Sequence, residues 1–222
     1  MVIKLAVTAV LSLGLSFGST VVASGAGPLP GSAEDLSSQY PTAITGSLAF
    51  PNGVSMFEIR ILNYLDFSAV TVPVGAYAVP DTELFLFNSS GYGVYGNDDI
   101  SGGNTLSCLP SATGSNPCSY GRNGVGPTSN GLYYLAITRS ANGPLSGTNQ
   151  IFPGLVTGGA AGPDPTAGPV DGYDNGVFTQ TDFDNVRYAI NLTGTVPEPA
   201  TWALMSAAGL ALVFLRRKLA VV

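Results

Sequence analysis

Three carboxylates at either end of a short apolar run are the residues best suited to do chemistry. Asp81 precedes the apolar run 84–87, and Asp98 and Asp99 follow a Gly-containing turn and the residues 94–95. If 84–87 and 94–95 pair as a hairpin, the three carboxylates emerge at the same end. Converging carboxylates repel one another, and a divalent cation neutralises them. The spacing predicts a calcium site there, and the alternative is that Asp98 and Asp99 cap a turn through side-chain-to-backbone hydrogen bonds.

A second group of acidic residues lies in a Gly- and Pro-rich stretch at residues 154–176. This stretch has too few large apolar residues to pack, so we expect a mobile loop insertion. Carboxylates on such a loop can also wrap a calcium ion, although the pattern lacks the final Glu of an EF-hand loop. The acidic residues within and just after it are Asp164, Asp171, Asp174, Asp182 and Asp184.

The residue types of common catalytic sites are mostly missing. The chain has no histidine and only two cysteines, which excludes a Ser-His-Asp triad and the common zinc sites. Carboxylate pairs cleave glycosidic bonds without other residue types, and Glu58 and Glu83 are candidates for such a pair. Acidic residues on strand surfaces are usually solvated, however. The sequence therefore predicts that the protein is not an enzyme, and a glycan-active enzyme is the weakest alternative.

Aromatic residues in polar loops suggest a binding surface instead. Tyr92, Tyr95 and Tyr120 occur among Gly and Asn residues. Rings with polar tips suit the apolar faces and hydroxyl groups of sugars. These tyrosines are candidate carbohydrate-binding residues, and the alternative is that they pack beneath loops.

Alternating apolar and polar residues predict the strands that position these side chains. A period of two buries one face of a strand and leaves the other near water, and Gly, Pro, Asn and Asp fill the gaps. No sustained helical period occurs between residues 27 and 195. The pattern predicts an all-β fold, an antiparallel β-sandwich. The alternating segments are 56–61, 133–138 and 186–193, and further strand candidates are 44–50, 68–74, 84–87 and 106–108.

The N-terminus predicts export. Residues 1–23 combine one lysine, an apolar stretch and a small residue at position 23, as in a secretory signal peptide that signal peptidase removes. Residues 24–39 are expected to be a linker and 40–195 the folded domain, with loop insertions near 100–130 and 154–176. Residues 24–195 keep every acidic residue except Glu198 but only four arginines, so this part is more acidic than the whole chain, whose net charge is −6. Such a domain repels nucleic acid and attracts cations.

The C-terminal segment 196–222 has three parts in a fixed order. It begins Val196-Pro197-Glu198-Pro199, continues with an uncharged apolar stretch at 200–215, and then has Arg216-Arg217-Lys218. Sixteen residues make a helix of about 24 Å, which is nearly enough to cross a membrane. The basic cluster predicts that its end stays in the cytoplasm. A plain membrane anchor is the alternative to a removable signal.

This order of parts resembles the PEP-CTERM sorting signal of Gram-negative bacteria. The resemblance implies recognition by an exosortase near Pro-Glu-Pro and removal of the helix, so that the membrane holds the protein only transiently. It also implies delivery to the cell surface or the extracellular matrix, where exopolysaccharide is an expected partner.

The export prediction also bears on the two cysteines. Nine residues rich in Ser, Pro, Gly and Asn separate Cys108 from Cys118. In an oxidising compartment such a pair is expected to form a disulfide that closes a surface loop. Free or metal-binding thiols are the alternative.

The central region resembles a second family, the bacterial pre-peptidase C-terminal (PPC) domain. The resemblance rests on the order of Asp81-Thr82, the apolar strand, Asn97-Asp98-Asp99, and Gly131 followed by Tyr133-Tyr134. It implies a jelly-roll-like sandwich that serves as an accessory domain and in some members binds polysaccharide or calcium. We therefore expect a non-catalytic structural or binding role outside the cell, and the alternative is a specific carbohydrate-binding module.

Overall fold

Two five-stranded sheets face one another in the computed structural model. The structure describes residues 18–49, 52–75, 81–113, 118, 120–155, 158–176 and 185–197. Gly18–Val196 forms one compact unit. The strands, in chain order, are β1 (Ser19–Val22), β2 (Glu34–Asp35), β3 (Pro41–Ala49), β4 (Ser55–Ile61), β5 (Ser68–Val72), β6 (Thr82–Asn88), β7 (Gly93–Asn97), β8 (Cys108–Leu109), β9 (Gly131–Arg139), β10 (Pro144–Ser146), β11 (Asn149–Gln150), β12 (Gly172–Tyr173) and β13 (Asn185–Thr193).

The order of strands confirms the predicted all-β sandwich. The first sheet runs β1-β3-β13-β5-β8 and the second β2-β4-β9-β6-β7. Pairing is antiparallel except at β1–β3 and β2–β4, where the N-terminal segment adds short parallel edge strands. No α-helix occurs among the described residues, and none of them belongs to a helix long and apolar enough to cross a membrane.

The main core lies between the two sheets. Alternate residues of β3 and β13 face alternate residues of β4, β6 and β9, as the period of two predicted. Burying apolar surface stabilises a fold by about 25 cal/mol for each Å², so this layer is the main source of stability. Its members from these strands are Ile44, Leu48, Phe57, Ile59, Ile61, Leu84, Leu86, Tyr133, Leu135, Ile137, Val186, Tyr188, Ile190 and Leu192.

The second sheet is also covered on its outer face, which corrects two expectations. Met56 was expected near water but is fully buried, together with Phe85 and Phe87. The stretch 154–176, expected to be a mobile loop, helps to form this cover. Its β12 joins β10 and β11 in a small third sheet, and its Ala161 pairs with Gly96 of β7. Ile151, Phe152, Val170 and Tyr173 supply the apolar side chains of the cover.

The segment before residue 40 belongs to the fold and is not a linker. Leu36 lies in the main core with no exposed surface, and its backbone N–H donates to the carbonyl of Glu58. A 3-10 turn at Pro30–Ser32 and strand β2 hold this segment against β4. Strand β1 lies inside the predicted signal peptide, so the predicted cleavage after Ala23 would remove an edge strand from the first sheet. Residues 1–17 lie outside the described part of the chain.

The described chain ends just inside the proposed sorting signal. Thr195 is fully buried, and its hydroxyl donates to the carbonyl of Pro41 at 2.6 Å. Val196 and Pro197 follow this anchor directly. The rest of the signal, with the predicted membrane helix and the basic cluster, lies outside the described residues.

Candidate metal centre

The hairpin inferred from the apolar run is present and brings the three carboxylates together. Strands β6 and β7 pair antiparallel, with Leu84 opposite Asn97. Asp81 precedes the first residue of β6, and Asp98 and Asp99 follow the last residue of β7. One oxygen from each carboxylate lies within 4.8 Å of the others. Two ligands of one calcium ion, each about 2.4 Å from it, are at most about 4.8 Å apart, so this spacing is compatible with one shared ion.

Buried hydroxyl groups hold the start of β6 in place beside Asp81. The Thr82 hydroxyl lies 2.9 Å from that of Thr71 and 2.8 Å from that of Ser107. The Ser107 backbone N–H donates to both threonine oxygens, at 2.8 and 3.1 Å. Because all three side chains are almost fully buried, this network ties Thr82, the residue after Asp81, to β5 and to the residue before β8.

The side chain of Asn97 supports the acidic turn formed by Asp98 and Asp99. Its side chain is fully buried, and its Nδ2 donates to the carbonyls of Asp99 at 3.1 Å and Gly159 at 2.8 Å. Its Oδ1 accepts from the backbone N–H of Cys108 at 2.7 Å. Gly158 donates its own N–H to the same Asp99 carbonyl at 2.8 Å. The turn is therefore supported both by β8, which contains Cys108, and by the 154–176 stretch.

Burial and mutual repulsion disfavour charge on the cluster. Burial, with the neighbouring Asp98 and Asp99, raises the pKa of Asp81 to about 6. Burial and Asp99 also raise the pKa of Asp98, against a hydrogen bond from Ser140 that lowers it. The Oδ1 atoms of Asp81 and Asp98 are buried and accept no hydrogen bond. Turn capping therefore leaves these two oxygens unsatisfied, whereas a hard cation that prefers oxygen ligands would satisfy both.

Glu83 lies next to this cluster and is more deeply buried. It is only 4% exposed, and its carboxylate accepts from the Thr138 hydroxyl and the Ala141 N–H, both at 3.0 Å. Burial and the charge of Asp98 raise its pKa to about 8. Glu83 lines a polar cavity of about 200 Å³ together with Gln150 and Asp174. Glu58, its suggested partner, is not among the lining residues.

The prediction that three tyrosines form a sugar-binding surface is wrong for Tyr95. Tyr95 is fully buried, and its hydroxyl donates to the Pro110 carbonyl, so its ring cannot contact a sugar. Tyr120 is partly buried and donates to the Cys108 carbonyl at 2.7 Å. Only Tyr92 exposes much of its ring, at 47%. Tyr95 is therefore a packed residue of the fold, and Tyr120 uses its hydroxyl group for a hydrogen bond within the fold.

The acidic residues of the 154–176 stretch have separate local roles. Asp164 accepts from the Thr166 N–H at 2.8 Å, and Asp171 accepts from the Gly147 N–H at 2.9 Å. Asp174 accepts from the Gln150 side chain at 3.4 Å. The described part of this stretch therefore uses its acids to fix turns and does not bring them together. Asp182 and Asp184 lie outside the described residues.

The two cysteines form the predicted disulfide, Cys108–Cys118. It closes the loop that contains residue 110, whose carbonyl accepts from Arg122. Arg122 is a residue that sequence reasoning missed. It is one of four arginines in a strongly acidic domain, but nothing in its local sequence indicates that it is buried.

Comparison with known families identifies the C-terminal segment. Residues 195–218 match the family model for the PEP-CTERM protein-sorting motif. The match confirms the sorting signal predicted at Val196, Pro197, Glu198 and Pro199 and at Arg216, Arg217 and Lys218. It indicates an exported protein that crosses a membrane and is processed by an exosortase. No curated protein matches the chain.

Proposed function

We propose that this chain is an exported, non-catalytic β-sandwich protein that serves a structural or binding role in the exopolysaccharide matrix and carries calcium at its acidic turn. Two observations support this. The sorting motif indicates export, and the convergence of three carboxylates within 4.8 Å, with buried oxygens left unsatisfied, supports a cation. The jelly-roll-like sandwich implied by the resemblance to the PPC domain is part of this proposal.

The order of chain segments suits release from a membrane. The fold is anchored up to Thr195, and the Pro-Glu-Pro motif begins two residues later. Proline fixes its own backbone and disfavours helix before it, so the sequence predicts that an exosortase can reach the Pro-Glu-Pro motif. Signal peptidase acts at the other end. In this proposal the helix and basic cluster retain the chain in the membrane only until the cut.

The state of the C-terminus tests the sorting step. Mass spectrometry of the protein from its native host should find a chain that ends near residue 198. A mature protein that still contains Arg216 and the residues after it overturns processing and favours a permanent anchor.

Calcium would link the residue before β6 to the residues after β7 at the open end of this hairpin. Asp81, Asp98 and Asp99 would hold it, and two positive charges would offset the repulsion that burial intensifies. Binding to the folded state alone stabilises a protein by about 2.7 kcal/mol when the ligand is at one hundred times its Kd. A thermal shift is therefore the direct signal.

Thermal melting of the exported protein in EDTA and then in excess calcium tests this site. We expect a higher Tm with calcium in the native protein, and little change in Asp98→Asn. Asp164→Asn is the matched control, since Asp164 lies on an exposed turn and should leave the calcium effect intact. An unchanged Tm in the native protein contradicts the calcium site.

A specific carbohydrate-binding module is the second candidate, and the polar cavity favours it. The cavity offers the carboxylate of Asp174 and the amide of Gln150, both able to bind sugar hydroxyls. Its volume of about 200 Å³ is below the ~300–1,000 Å³ of drug-sized sites, so it suits one sugar unit. Tyr92 contributes at most an exposed ring elsewhere on the surface.

A glycan array separates the two candidates and also tests for catalysis. Binding to one glycan that Asp174→Ala abolishes favours the module. A uniformly flat array favours the structural role. Turnover of any bound glycan contradicts the non-catalytic proposal.

A further inference from the structure

We propose that the Cys108–Cys118 disulfide and the acidic turn are energetically coupled through Asn97, so that forming the disulfide strengthens calcium binding and calcium protects the disulfide from reduction. The inference rests on the calcium site proposed above and adds its regulation. It requires a physical connection between the two sites, a reason for the connection to transmit a change, and a reciprocal effect.

The connection is a single buried amide. Asn97 accepts from the backbone N–H of Cys108 at 2.7 Å and donates to the backbone carbonyl of Asp99 at 3.1 Å. Its side chain has no exposed surface, so water cannot replace either partner. Any movement of Cys108 away from Asn97 leaves a buried acceptor unsatisfied, which costs about 1–3 kcal/mol unless the amide moves too. If the amide moves, the acidic turn moves with it.

The same strand also reaches the other side of the cluster. Ser107, the residue before Cys108, donates its hydroxyl to the carbonyl of Thr82. Thr82 directly follows Asp81. Residues 107 and 108 therefore touch both the β6 side and the β7 side of the cluster, and their position sets the separation of the three carboxylates.

The disulfide adds a covalent restraint to strand β8, which is short. It contains two residues, Cys108 and Leu109, and its ladder partners in the described part of the chain are Val70 and Ala69 at the edge of its sheet. Closing the loop to Cys118 removes freedom that this segment would otherwise have. Three carboxylates at close range repel one another, so a turn with weakened support will separate them. Separated ligands bind calcium less well.

The chemistry of the switch is a thiol–disulfide exchange. A dithiol reductant such as dithiothreitol supplies two electrons and two protons. The Cys108–Cys118 bond breaks, two protein thiols form, and the reductant becomes a cyclic disulfide. Because disulfides persist outside the cytoplasm, the calcium site becomes fully competent only after export.

Coupling between two sites is reciprocal by thermodynamic necessity. If oxidation raises calcium affinity by some factor, saturating calcium must shift the disulfide equilibrium by the same factor. Coupling factors in proteins are typically about 5- to 150-fold, and we expect about tenfold in this protein. Asn97→Ser, which is too short to span both partners, should remove most of this coupling, so that the oxidised and reduced forms of this variant bind calcium with similar affinity.

Calorimetric titration with calcium tests the inference on the exported protein with its disulfide intact. We expect calcium affinity to be about tenfold lower in the Cys108→Ser, Cys118→Ser double variant. Asn149→Ser, on an exposed edge strand, is the matched control and should bind calcium as the native protein does. Circular dichroism establishes that each variant is folded.

The reciprocal measurement needs no variant. Native protein is equilibrated with dithiothreitol, with and without saturating calcium, and the reduced fraction is counted by thiol alkylation and mass spectrometry. Calcium should lower the equilibrium constant for reduction about tenfold. Failure of the oxidised protein to bind calcium overturns the calcium site and the coupling with it. Equal calcium affinity in both redox forms, or a reduction equilibrium that ignores calcium, overturns the coupling and leaves the site standing.

Discussion

Arg122 and the carboxylates of the acidic turn are both charged groups with buried atoms, yet their surroundings differ. Arg122 is only 8% exposed, and its guanidinium donates to four backbone carbonyls. Its charge also lies over the ring of Tyr95, 5.8 Å from the centroid. Asp81 and Asp98, by contrast, each have a buried oxygen that accepts no hydrogen bond. The protein satisfies Arg122 with its own backbone and leaves one carboxylate oxygen each of Asp81 and Asp98 without a hydrogen bond.

This difference distinguishes a charged residue with a structural role from a candidate metal-binding site. The carbonyls around Arg122 come from Pro110, Pro127, Tyr64 and Phe67, so one side chain joins three separate loop segments. A group with these partners has no need of a ligand. The carboxylates at the turn repel one another and have raised pKa values at two of the three positions. Their environment becomes favourable only when a positive charge is added.

Replacing Arg122 should have the largest effect on stability. Arg122→Met keeps most of the apolar stem but leaves four carbonyls without their donor. We expect the free energy of unfolding to fall by about 3–5 kcal/mol, measured by urea denaturation. Arg60→Met, at a partly exposed position on β4, is the control and should change stability little. If Arg122→Met destabilises the protein no more than Arg60→Met does, Arg122 does not have the structural role assigned to it.

The pH dependence of the calcium-free protein should be the next largest effect. The folded pKa values of Glu83 and Asp81, about 8 and about 6, lie above their ordinary values. The folded state therefore holds more protons than the unfolded state between about pH 4 and 8, and stability is lost as pH rises through this window. For Glu83 the loss is roughly 4 kcal/mol. Urea melts in EDTA between pH 5 and 8.5 measure it.

Glu83→Gln should flatten that pH profile, because an amide keeps the position but cannot ionise. Glu58→Gln is the matched control and should leave the slope as it is. A native protein that becomes more stable with rising pH over this range would show that burial does not raise the pKa values of Glu83 and Asp81.

Removing one carboxylate from the acidic turn should change stability with opposite signs in two conditions. In EDTA, Asp98→Asn relieves repulsion and should raise the stability of the protein. In calcium at one hundred times the Kd, the same change should forfeit about 2.7 kcal/mol of ligand stabilisation. Thermal melts in both buffers measure the two values. Stabilisation of equal size in both buffers would mean that the cluster holds no ion.

Tyr92→Ala should have the smallest effect. The ring is exposed and away from the core, so stability should change by no more than about 0.5 kcal/mol. Tyr95→Ala, which empties a fully buried position beside Arg122, is the contrasting variant and should cost about 3–5 kcal/mol. Chemical denaturation compares them directly, and similar losses would show that Tyr92 is buried in solution.

Local patterns were enough to predict the hairpin and the acidic cluster. The apolar run 84–87, with turn residues after it, requires a strand and a reversal of the chain, and a reversal brings Asp81 near the residues after Asn97. The same pattern did not show that both faces of β6 are buried. That depends on Phe152 and Tyr173, which lie more than sixty residues later in the chain and cover the outer face.

The sequence by itself determined the β-rich body, the disulfide pair and the sorting motif at residues 195–218, because each depends on neighbouring residues or on a short linear order. Only the tertiary structure decided that Tyr95 and Arg122 are buried, that residues 24–39 belong to the fold, and that the described part of 154–176 packs against the second sheet. The physical reason is that burial and hydrogen-bond satisfaction depend on which distant segments meet. In this protein the acidic turn rests on β6, β7, β8 and the 154–176 stretch, which come together only in the folded chain.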